Sequence, residues 1–191
     1  MKTSRWLAWV LATVWSVWLS AAHGAFAAQL QRPEWVPDFA MVLFVIVAAR
    51  IATDDLPKLA IAAAFARCAV SVDAPTAIFA GVFGAAVVAR GARAVVDVSG
   101  APPRTMLALV VTWGLHTWLD VVHQVRGAAQ SAHLAATTPD ALELAGAVVR
   151  AWPTALSSAL ATLLLAPLLA RLPGLSTLTQ DRQWHVVASA R

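Results

Sequence analysis

Four side chains in one stretch could do chemistry together: Trp113, His116, Asp120 and His123. Steps of four and three residues put His116, Asp120 and His123 on one helical face, where two imidazoles and a carboxylate can converge. Such a set suits a divalent metal. The His-Glu-x-x-His pattern is absent, however, and no second ligand-rich stretch accompanies it. An ionisable residue within an apolar helix is a candidate functional group, because exposing it to lipid costs at least about 2.5 kcal/mol. The expected role here is a hydrogen-bonded stripe packed against another helix or a partner, with neither metal nor cofactor.

The remaining candidates are weaker. Asp54 and Asp55 stand beside Lys58, but without a glycine-rich phosphate cradle they read as a solvated loop. Arg67 and Asp73 are six residues apart and do not share a helical face, so Asp73 is expected to close the turn before Pro75. His23 reads as a polar group at a membrane interface. The single cysteine, Cys68, excludes an internal disulfide and reads as a small apolar side chain. No Ser-His-Asp order, G-x-S-x-G elbow or dinucleotide fingerprint occurs. No residue is assigned a catalytic role, and the chain is expected not to be an enzyme.

The elements that position these residues follow from composition. The 191 residues are 60% hydrophobic and 13% charged, against roughly 25% charged in an average soluble domain. A soluble globule cannot be clothed with so few polar groups. The apolar residues fall into runs that predict membrane spans at about 6–28, 38–52, 58–72, 76–96, 105–125 and 152–170, with an interfacial helix over 140–150 ahead of Pro153. One membrane domain, an all-α six-helix bundle, then takes up the whole chain. Pro37-Asp38 predicts a helix start with a carboxylate at the positive end of the dipole, and Thr138-Pro139-Asp140 predicts another. The 58–72 run is short for a crossing and needs tilt or burial among neighbours. Ala25-Phe26-Ala27 resembles a signal-peptidase site, but the apolar run before it is long for a signal peptide, and a retained first helix is expected.

Fourteen Lys and Arg against ten Asp and Glu would suggest nucleic acid in a soluble protein. Here the basic residues cluster at the ends of apolar runs, which is a topology signal and not a nucleic-acid footprint. Six crossings place Lys2, Arg5, Arg50, Lys58, Arg90, Arg93, Arg104, Arg171, Arg182 and Arg191 on one side, with Arg32 and Arg126 opposite. Both termini are therefore expected in the cytoplasm. Gly81, Ala85 and Ala89, spaced at four, form a small-residue face suited to close packing or to a partner helix.

The order of the pieces resembles the rod shape-determining protein MreD family. The resemblance rests on the tryptophan- and leucine-rich first helix, on Val36-Pro37-Asp38-Phe39 opening a run that ends at Ala48-Ala49-Arg50, and on a helix pair turning at Asp73. It continues through Val149-Arg150-Ala151-Trp152-Pro153-Thr154-Ala155-Leu156 to Ala166-Pro167-Leu168-Leu169-Ala170-Arg171-Leu172. Where that family has a more glycine-rich run before the acidic turn, this chain has Ala62-Ala63-Ala64 and Arg67. The resemblance implies a fold similar to the substrate-binding subunits of energy-coupling-factor transporters. It also implies a non-enzymatic scaffold of the cell-elongation and peptidoglycan-synthesis complex in the bacterial inner membrane. The resemblance implies binding of the single-span protein MreC and influence on the RodA and penicillin-binding transpeptidase pair. An alternative is a substrate-capture subunit of a vitamin or metal transporter, with Trp113, His116, Trp118 and His123 lining an outward pocket. A third class, an intramembrane metal enzyme, would use His116, Asp120 and His123.

Overall fold

The computed structural model describes residues 5–131 and 141–178, and every regular element among them is helical. In chain order these are α1 (Arg5–Gln29), a 3-10 turn (Pro33–Trp35), α2 (Phe39–Ala48) and a second 3-10 turn (Thr53–Asp55). There follow α3 (Leu56–Cys68), α4 (Pro75–Val95), α5 (Ala101–Ser131), α6 (Ala141–Arg150) and α7 (Trp152–Leu169). Among the described residues the count is thus seven α-helices rather than six, the seventh being α6 over the segment expected as an interfacial helix. Four segments of the described residues are long and apolar enough to cross a membrane: α1, α4, Ala101–Ala129 of α5, and Ala145–Leu169 through α6 and α7. The chain is therefore an all-α membrane protein. With 10 and 13 residues, α2 and α3 reach only about 15 and 20 Å at 1.5 Å per residue, short of the ~30 Å apolar thickness of a bilayer.

Prolines set several helix starts, since the first turn has no use for the missing N–H. Pro57, Pro75 and Pro153 lie in the first turns of α3, α4 and α7. The same tolerance lets α5 begin at Ala101 and run through Pro102 and Pro103, earlier than the 105 that the apolar run suggested. The predicted caps at Thr138 and Asp140 lie outside the described residues, as do Lys2, Arg182 and Arg191.

The core forms around α2. Every residue from Ala40 to Ala48 is buried, against α1, α3, α5 and α7. A helix apolar all round has no solvent face to offer and is stable only when enclosed. Alanines make the enclosure tight: Ala60, Ala63 and Ala64 of α3 and Ala77, Ala85, Ala86 and Ala89 of α4 belong to the same core. Beyond α7 the chain turns at Gly174, whose φ of 88° is left-handed, and a Cβ there would stand 2.9 Å from Leu11 Cδ1. That turn returns Leu175 and Leu178 to the core.

Side chains close one end of the bundle. Arg93 of α4 donates to the carbonyls of Ala48 (2.9 Å) and Ile51 (2.8 Å), which ends α2 before the predicted 52. Asp55, expected in a solvated loop, is instead buried and accepts from Arg5 of α1 (2.5 Å) and Lys58 (2.9 Å). Burial raises the Asp55 pKa, but the hydrogen bonds and positive charges of Lys58 and Arg5 outweigh it and hold the carboxyl below its ordinary value. A depressed folded-state pKa contributes stability above the unfolded value of about 3.9 and loses it as pH falls through the folded one. Thermal melts between pH 6 and pH 3 should therefore show stability falling below that value, with Asp55→Asn flattening part of the fall.

Gly81, Ala85 and Ala89 are internal. Ala85 and Ala89 are buried by the chain itself, and a Cβ on Gly81 would stand 2.6 Å from Leu115 Cδ1 and 2.9 Å from Trp118 Cδ1. Gly81 abuts α5 and the rest of the face is buried within the protein, so it is not open to a partner. Gly81→Leu should destabilise the purified protein by about 1–3 kcal/mol through overpacking. Gly84→Leu, at a position with nothing within 4 Å of the added Cβ, should melt like the parent.

Candidate functional site

The polar centre of the fold is Asp38, which sequence analysis assigned only a capping role. The cap is present: Asp38 Oδ1 accepts the backbone N–H of Met41 at 3.1 Å. In addition the residue is 1% exposed and its second oxygen, Oδ2, forms an ion pair with Arg67 of α3 and accepts Nε2 of His116 at 3.0 Å. The Asp38 backbone N–H donates to Ser158 Oγ of α7 at 2.8 Å. One residue thereby joins α2, α3, α5 and α7. An Asp and an Arg within apolar runs must be neutralised inside the protein, and this requirement is the sequence signal that could have paired them. Arg67 pairs with Asp38 across helices and not with Asp73 along the chain. Asp73 instead takes the Ser71 hydroxyl at 2.7 Å.

The imidazole protons follow from their partners. Carboxylate and carbonyl oxygens only accept, so His116 carries its proton on Nε2. His23 of α1 carries its proton on Nδ1, 3.0 Å from the Pro37 carbonyl. In their neutral forms both rings keep one acceptor nitrogen, and the ring centroids are 6.3 Å apart. His23, Asp38, Arg67 and His116 line a cavity of about 380 Å³, with Ser20 from α1, Ser71 and Asp73 from the turn after α3, and Asp120 and His123 from α5. Asp73 and His123 also line a second cavity, of about 320 Å³. Neither cavity has a tryptophan in its wall.

The four residues first singled out on α5 are divided among neighbours. His116 faces Asp38, while Asp120 Oδ2 accepts Arg150 Nε at 2.9 Å and stands 2.8 Å from its terminal NH2 group. Trp113 Nε1 donates to the Val148 carbonyl at 3.0 Å and packs edge-on to Trp152. Trp118 Nε1 donates to the Ala77 carbonyl at 2.9 Å. His116, Asp120 and His123 do share a cavity wall. The convergence a metal requires is not formed, because His116 and Asp120 are drawn to different helices. Among the described residues no group of three or more His, Cys, Asp or Glu is placed to hold a metal ion.

Comparisons with protein-family models, curated proteins and solved structures gave no match. Fold and site together define a class: a helical membrane protein organised around a buried Asp-Arg-His cluster beneath a polar cavity. Breaking a buried ion pair by removing one partner typically costs about 3–5 kcal/mol. Asp38→Asn and Arg67→Gln should each cost about that much, and the double variant should cost clearly less than their sum. Thermal or denaturant unfolding in detergent measures the cycle; simple additivity would mean that the pair is not coupled.

Proposed function

We propose that this protein is a non-enzymatic scaffold subunit of the bacterial cell-elongation complex, of the MreD kind, acting in the cytoplasmic membrane. It binds a single-span partner resembling MreC and through it influences RodA and a penicillin-binding transpeptidase. The carrying observation is that two stretches on which the resemblance rests, far apart in sequence, meet at one joint. Ser158 Oγ receives the Asp38 N–H at 2.8 Å, and beside it Thr154 Oγ1 donates at 2.7 Å to the carbonyl of Glu34, two residues before the first of those stretches.

Six crossings with cytoplasmic termini belong to the same reading. The Arg5–Asp55 tie and the hold of Arg93 on Ala48 and Ile51 gather the starts of α1 and α3 and the ends of α2 and α4 at one end. His23, Asp38 and Arg67 meet at the other. Short α2 and α3 complete their passage within the protein rather than against lipid. Partner contact then falls to side chains facing the bilayer, because the small-residue face of α4 is enclosed.

A second reading, a substrate-capture subunit, is favoured by the cavity over Asp38. Its imidazoles, carboxylates and hydroxyls suit a small polar ligand and not an apolar one. Affinity purification of the tagged protein from its native membrane separates the two. The scaffold reading expects an MreC-like single-span protein to copurify in stoichiometric amount. Recovery of a small polar ligand, with no elongation-complex component, would reject the scaffold in favour of substrate capture.

A further inference from the structure

The cavity over Asp38 offers more open acceptors than donors. Two of the carboxylates in its wall are balanced within the protein, Asp38 by Arg67 and Asp120 by Arg150. Asp73 is not balanced. No Lys or Arg among the described residues forms an ion pair with it, and its side chain accepts only the Ser71 hydroxyl. Arg126, exposed in the wall of the second cavity that Asp73 shares, makes no bond to it either. With the three imidazoles of the wall neutral, the charge left over is that of Asp73. Ser20 is a second sign of a missing partner. It lines the cavity at 9% exposure, and its hydroxyl has no hydrogen bond within the chain. Helical serines and threonines commonly bond back to the carbonyl four residues earlier. On the same helix Thr13 does so at Trp9 (3.0 Å) and Ser16 at Ala12 (2.8 Å), whereas Ser20 leaves the Ser16 carbonyl untouched.

We propose that this cavity binds a small molecule through a primary ammonium group, with Asp73 as counter-charge and acceptors drawn from Ser20 Oγ, His116 Nδ1 and His23 Nε2. The two ring nitrogens are the ones left open when His116 Nε2 faces Asp38 and His23 Nδ1 faces the Pro37 carbonyl. An ammonium carries three donors and no acceptor, which matches a wall whose open positions accept. Other charges fit less well. An anion would meet the unbalanced carboxylate, and a quaternary ammonium ion would find neither N–H bonds to make nor a Trp or Phe cage to enter. A metal ion lacks its ligand set among the described residues. The inference rests on the cavity being a ligand site, as in the capture reading, and adds the charge and donor chemistry of the ligand.

The test is thermal melting of the full-length protein in phosphatidylcholine nanodiscs with millimolar ethanolamine, glycolate, ethylene glycol or choline, small hydroxylated probes that differ in charge and in N–H donors. Ethanolamine should raise the melting temperature as its concentration rises, and the other three should not. Asp73→Asn should weaken the apparent affinity by about tenfold or more, the worth of a charge-assisted hydrogen bond. Ser20→Ala should weaken it severalfold, yet without ligand it should melt no lower than the parent, because the hydroxyl it removes has no partner in the chain. Should Asp73→Asn fail to fold, Ser20→Ala still decides. A response to glycolate or choline as large as that to ethanolamine overturns the ammonium and leaves the cavity a ligand site. No response to any of the four removes the ligand site itself. Variants that both keep the parent's affinity overturn the assignment to this cavity. Nanodiscs containing phosphatidylethanolamine separate a lipid headgroup from a free amine: an equal rise from that lipid, with no further response to ethanolamine, overturns the free molecule as the source.

Discussion

A carboxylate sealed from water at the start of an apolar helix governs this structure. Removing Asp38 from solvent carries a large desolvation cost, and only close, well-placed partners offset it. Those partners come from other helices: Arg67 from α3 and His116 from α5, with the Met41 N–H completing the set from within α2. The relative placement of three helices is thereby tied to one charge. Lipid tails are as apolar as leucine, so burial alone does little to hold membrane helices together. A buried polar joint and close alanine contacts take over that role.

The other end of α2 is finished on the same electrostatic logic with opposite sign. Asp38 stands at the positive end of the helix dipole and Arg93 closes the negative end, each favourable where it is. Between them lie ten residues without one polar side chain, Phe39–Ala48. The Asp38 cluster leads into the cavity and so couples the packing of the helices to whatever enters it. In the scaffold reading the cluster fixes the shape presented to a partner. In the capture reading it is the floor beneath a ligand.

Much of this fold was legible in the sequence because hydropathy acts locally. The apolar runs marked the helices, prolines marked several starts, and Asp38 was readable as a cap from Pro37-Asp38 alone. What the sequence left open, and the one solvated turn that proved buried, share one cause, which is that tertiary contacts cannot be read along a single helix. Gly81, Ala85 and Ala89 show a face that can accept close approach, but spacing does not say whether this chain's own helices or another protein accept it. His116 and Asp120 share a face in sequence, yet Asp38 and Arg150 attract them separately. Asp55 has the composition of a solvated turn and is buried because α1 brings Arg5 to it. The Asp38–Arg67 pair was recoverable in principle, since both charges interrupt apolar runs and have few other places to be neutralised.

The shortness of α2 bears on how the chain enters the membrane during synthesis. A segment of ten apolar residues beginning at a carboxylate is a poor substrate for independent insertion, and α3, with Arg67 near its end, is little better. Leaving the ribosome as a hairpin, the two bring opposite charges together over a loop of fewer than thirty residues, so the pair can partition as a nearly neutral unit. His116 and Ser158 are translated later. Until they arrive, Asp38 has only part of its final shell and the newborn hairpin lacks walls on two sides. The order in which helices emerge thus makes α5 and α7 the closing pieces of a site whose charged pair is translated first.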